Sequence, residues 1–107
     1  MRSPSSLQTL PNLQQIVEDL RAFLPDIQKR YGVTSLGIFG SYAKGEQALE
    51  SDVDLLVEFD DRPLTLLQFI ALENELSDRL QVPVDLVEKN MLKPVLGQQI
   101  LNEVMVL

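Results

Sequence analysis

The chain has 107 residues, 45% of them hydrophobic, with 16 acidic side chains against 9 basic ones and a net charge of −7. That is enough for one small core, while the absence of cysteine and histidine excludes disulfides, Cys/His zinc sites, Ser-His-Asp triads and an imidazole base. The acidic balance opposes direct binding of nucleic acid, and no apolar stretch reaches membrane-spanning length.

Residues 1–9 are polar with Pro and Ser and read as a flexible arm, and Met1 to Ser6 lacks the apolar run of a signal peptide. A cytoplasmic protein with a single domain over residues 10–107 is expected, since no repeat, low-complexity tract or internal boundary interrupts the chain. From Pro11 onward, Leu13, Ile16, Val17, Leu20, Leu24 and Ile27 recur at helical spacing. Pro25 predicts a kink or a restart in that helix, and Gly32 its end.

A strand follows over about Val33–Phe39 and runs into Gly40-Ser41, with Tyr42-Ala43-Lys44 starting a helix. Glycine at such a junction lets backbone N–H groups approach an anion, and the helix start adds a favourable dipole. Tyr42 reads as a packing residue. Gly45 to Ser51 is a polar connector to a second strand, Asp52–Phe59. There Val53, Leu55, Val57 and Phe59 alternate with Asp52, Asp54, Leu56 and Glu58, so both aspartates share one face above an apolar one. Adjacent carboxylates resist ionising together unless a cation joins them, and a hard divalent ion such as Mg²⁺ suits oxygen ligands. The plainer alternative is a Gly-Ser turn beside solvated aspartates.

Asp60 to Pro63 reads as a turn, and Thr65 as the cap of a helix running to about Gln81 on Leu66, Phe69, Ile70, Leu72, Leu76 and Leu80. Leu67 and Ala71 widen its apolar stripe, which predicts burial between sheet and helix, with a partner surface as the alternative. A third strand over Val82–Glu88 carries Asp85 as a lone carboxylate among apolar residues. On its own Asp85 could be merely exposed; beside the upstream pair it reads as part of a shared metal site. Pro94 opens a last helix, with Leu96, Ile100, Leu101 and Val104 expected to face inward.

Gly40-Ser41-Tyr42-Ala43-Lys44-Gly45-Glu46, followed by Ser51-Asp52-Val53-Asp54-Leu55-Leu56-Val57, resembles the signature of the DNA polymerase beta-like nucleotidyltransferases. Within that superfamily the chain is most similar to the minimal nucleotidyltransferases, or MNT proteins, including the MntA-like antitoxins of HEPN/MNT toxin–antitoxin pairs. The resemblance spans nearly the whole chain. It implies an α/β (α+β) fold, a small mixed sheet backed by helices. Asp52, Asp54 and Asp85 would be catalytic and metal-binding, holding two Mg²⁺ ions, and Gly40 and Ser41 would hold the triphosphate of ATP. Lys44 stands where arginine is frequent and would meet a phosphate as a point charge.

The resemblance further implies transfer of AMP from ATP to a tyrosine of a HEPN-family RNase toxin, and it allows an oligomer with that toxin. The chain's lack of an acceptor-binding domain agrees with a protein acceptor. Two other readings stay open: nucleotidyl transfer to a small molecule or RNA end, and a non-catalytic antitoxin that neutralises its partner by binding alone.

Overall fold

In the computed structural model, residues 12–46, 52–62 and 64–107 are described. The expected N-terminal arm, most of the connector after Gly45, Pro63 and the side chain of Leu96 lie outside the described residues. Helix α1 (Leu13–Tyr31) leads into strand β1 (Val33–Phe39), the five-residue helix α2 (Gly40–Lys44) and strand β2 (Val53–Phe59). Helix α3 (Leu66–Leu80), strand β3 (Val84–Glu88), a 3₁₀ turn (Lys89–Met91), helix α4 (Pro94–Glu103) and strand β4 (Met105–Val106) complete the order.

Local chemistry explains the boundaries. The Asn12 side chain accepts from the Gln15 N–H to start α1, and Gly32, at φ +77°, ends it with its N–H donating to Gln28. Pro25 does not restart α1, which is one continuous helix. It leaves the Arg21 carbonyl without a helical donor, but both residues are exposed, where water can replace the bond. Thr65 and Gln68 form a reciprocal capping box at the start of α3. Pro94 occupies the first turn of α4, where its missing N–H costs nothing.

The sheet is mixed, in the order β3-β2-β1-β4: β2 runs antiparallel to β1 and parallel to β3, while β4 pairs antiparallel with β1. Its core face buries Leu36, Ile38, Val53, Leu55, Val57, Val84 and Leu86 against Ile16, Leu20 and Ile27 of α1 and Leu72, Leu76 and Leu80 of α3. Arg30 ties the two helices together by bonding Asp26 on its own helix and Glu75 on α3.

Two expectations are corrected. Leu66, Leu67 and Ile70 are exposed at 73%, 78% and 41%, because the first turns of α3 flank an open groove rather than packing onto the sheet. Leu101 is 41% exposed while Ile100 is buried, so α4 turns a narrower face inward than its apolar residues suggest. The two-residue strand β4 is an addition that the sequence reading lacked.

Candidate active site

Topology brings three chain segments to one end of the sheet. Strand β1 finishes at Phe39, paired with Asp54 near the start of antiparallel β2. Strand β3 runs parallel to β2, so it begins at the same end, with Asp85 paired to Asp54 in register. The Gly40 turn therefore leaves β1 beside Asp54, which in turn lies beside Asp85. Asp52 sits just before β2.

Gly40 has φ +75°, a region that disfavours side chains, and a Cβ there would occupy the position of the Asp54 carboxyl. The glycine is thus required twice, by backbone conformation and by the carboxylate packed against it. Ser41 is half-buried in the first turn of α2. Tyr42 is fully buried, as its packing role predicts, and among the described residues its hydroxyl has no hydrogen-bond partner. Burial pushes that phenol up from its ordinary pKa.

Asp52 and Asp85 are exposed, and Asp54 is half-buried. Burial, then the negative charges of Asp85 and Asp52, hold the Asp54 carboxyl above its ordinary value. Among the described residues none of the three carboxylates has a basic partner. Nor do three acidic side chains converge there into a ready-made ligand cage; an ion would gather them rather than find them gathered. Their chemistry nonetheless suits one. Three oxygen-only donors without a basic partner among the described residues fit a hard divalent ion, which would offset the repulsion that adds to burial in raising Asp54.

Lys44 lies at the end of α2 and pairs with Glu103 of α4, its Nζ 3.3 Å from Oε1. Sequence reasoning had no signal for that contact, which depends on where α4 returns across the sheet. The face carrying the aspartates is not open along its whole length. Val104 reaches Gly37, and Leu101 and Val104 lie near Leu56, so α4 and its end cover that part of the face.

Comparison with known proteins decides the family. The family described as nucleotidyltransferase domain matches residues 20–107. The chain belongs to the nucleotidyltransferase family. A protein adenylyltransferase MntA of Thermococcus cleftensis is 44% identical over 92 residues, covering 86% of this chain and 92% of that relative. A solved structure provisionally described as a minimal nucleotidyltransferase superposes with a TM-score of 0.77 at 36% identity, covering 90% of this chain and 96% of its own. The fold also matches, at a TM-score of 0.56 and 25% identity, a structure of a tri-AMPylated Shewanella oneidensis HEPN toxin in complex with its MNT antitoxin. That match covers 89% of this chain and 67% of the other. The resemblance read from the Gly-Ser and Asp-x-Asp motifs, and the mixed sheet it implied, are thus borne out.

Proposed function

We propose that this nucleotidyltransferase transfers AMP from ATP to a tyrosine of a HEPN-family RNase toxin, in a Mg²⁺-dependent reaction, and so acts as the toxin's antitoxin. The observation that carries this reading is the register of Asp54 with Asp85 beside the Gly40 turn. The Thermococcus relative, named as a protein adenylyltransferase, and the AMPylated toxin complex support the donor group and the class of acceptor.

In this reading Asp52, Asp54 and Asp85 hold the metal. Bound Mg²⁺ would neutralise phosphate charge and stabilise the oxygens entering and leaving phosphorus. The Gly40-Ser41 turn offers backbone N–H groups to the triphosphate, close to Asp54 because Gly40 carries no side chain. The tyrosine hydroxyl attacks the α-phosphorus in line, a P–O bond forms, the bond to the β-phosphate bridge breaks, and pyrophosphate leaves. Asp85, exposed at the edge of the site, accepts or relays the hydroxyl proton. Lys44 already pairs with Glu103, which offsets part of its charge, so it acts as an auxiliary charge toward phosphate.

AMP attached near the toxin's RNase site adds negative charge and bulk where RNA phosphates must bind. The test is incubation with a cognate HEPN protein, ATP and Mg²⁺, followed by intact-mass spectrometry. One or more AMP-sized additions are expected on a partner tyrosine, absent with Asp52→Asn/Asp54→Asn. Neutralisation without a mass change would favour contact-only inhibition. Transfer to RNA or a small molecule, with the toxin unmodified, would favour the other enzyme reading.

A further inference from the structure

Among the described residues strand β3 lies at the edge of the sheet, with β2 on one side and no strand on the other. Alternate N–H groups of such a strand point away from the sheet and need partners elsewhere. Two of them find partners on α3. The N–H of Val84 donates to Ser77 Oγ at 3.0 Å, and the N–H of Leu86 donates to Glu73 Oε2 at 2.8 Å. Glu73 and Ser77 are four residues apart on the helix, and Val84 and Leu86 are two apart on the strand. Four helical residues rise about 6 Å and two strand residues about 6.6 Å, so the acceptors keep step with the donors.

The two bonded residues flank Asp85. That position carries a particular load, because Asp85 stands opposite Asp54 in register, and like charges facing each other across adjacent strands repel. Only β2 anchors the inner side of β3, through bonds that the repulsion works against. A second set of anchors on the outer side, one on each neighbour of Asp85, resists a shift or twist of the strand at that residue. Capping the edge alone would not require the two bonds to bracket Asp85, the candidate-site carboxylate carried by β3.

We infer that Glu73 and Ser77 are positioning residues that fix the backbone on both sides of Asp85 and so hold its carboxylate in register with Asp54. The inference rests on the proposed role of Asp85 as a metal ligand. It adds a requirement that reaches from helix α3 into the site without either residue touching substrate.

The test measures Mn²⁺ binding by electron paramagnetic resonance, with a non-hydrolysable ATP analogue present, alongside amide exchange at Val84 and Leu86. Glu73→Leu removes the acceptor and is expected to speed Leu86 exchange and weaken Mn²⁺ binding about tenfold, as loss of groups supporting a metal ligand commonly does. Glu73→Gln keeps an acceptor oxygen and is expected to stay within about twofold of the unmodified protein, since the neutral bond survives. In an Asp85→Asn background, Glu73→Leu should cause no further weakening, because both changes act through one carboxylate. If Glu73→Leu fails to fold, Ser77→Ala, which removes a single hydroxyl, carries the same comparison at Val84.

Faster exchange with unchanged Mn²⁺ binding would reduce the pair to a cap of the sheet edge and overturn the inference alone. Unchanged Mn²⁺ binding by Asp85→Asn itself would overturn both the inference and the metal role of Asp85.

Discussion

Asp54 meets the conflict of the site at a single side chain. It is half-buried, faces Asp85 across the sheet and lies against Gly40, and its carboxyl is held above its ordinary value first by burial and then by its acidic neighbours. Because the folded state binds this proton more tightly than the unfolded chain does, ionisation costs stability. That cost is absent below the ordinary carboxylate range, grows as pH rises toward the raised value, and is constant above it. Asp54→Asn is therefore expected to stabilise the metal-free protein at neutral pH and to lose that advantage on acidification. Thermal unfolding in EDTA across pH would check it, and a variant less stable than its parent at neutral pH would contradict it. Gly40→Ala should do the opposite. A side chain in the left-handed region costs roughly 1–2 kcal/mol, and this one would also displace the Asp54 carboxyl. Denaturant unfolding and a Mn²⁺ titration should both show the loss; intact metal binding would mean that Asp54 tolerates the displacement.

At the scale of elements, α3 separates what local sequence encodes from what it does not. Its cap at Thr65, its end near Gln81 and its buried stripe of Leu72, Leu76 and Leu80 follow from residue types and helical spacing, and all are observed. The exposure of Leu66, Leu67 and Ile70 does not follow, because periodicity tells which face is apolar and not how far the sheet extends beneath it. Here the helix start borders an open groove of about 570 Å³, which Phe59, Phe69, Leu86 and Met91 also line. Leu67→Ser should accordingly change stability by no more than about 0.5 kcal/mol, whereas Leu72→Ala should cost about 2–5 kcal/mol. Chemical denaturation of the two variants would check the contrast, and similar losses would refute it. The site divides along the same line. The placement of the candidate residues was legible where pattern is local: Gly40 follows an apolar strand, and alternation along β2 and β3 puts Asp54 and Asp85 on the face opposite the core. The Lys44–Glu103 pair and the bonds from Glu73 and Ser77 to β3 depend on long-range register, as does β4, whose two residues are too few to show any period.

For the whole molecule, the acidic balance sets the terms on which a nucleotide can bind. A chain of net charge −7, with Asp52, Asp54 and Asp85 all carried at one end of its sheet, repels a polyphosphate unless a cation comes with it. Electrostatics therefore predicts that metal and nucleotide bind as a linked pair, each improving the site for the other. A ligand bound only by the folded state stabilises it by mass action, about 2.7 kcal/mol at a hundredfold excess over Kd, which corresponds to a melting shift on the order of 10 °C for a domain of this size. Mg²⁺ with ATP should produce such a shift in thermal denaturation, ATP in EDTA almost none, and Mg²⁺ alone only a small one. Asp52→Asn/Asp54→Asn should abolish the joint shift while leaving the fold intact, since neither side chain supports the core: Asp52 is exposed, and Asp54 stands on the face opposite buried Val53 and Leu55. An equal shift from ATP with and without Mg²⁺ would mean that the triphosphate is held by protein charge alone, contrary to the composition of the site.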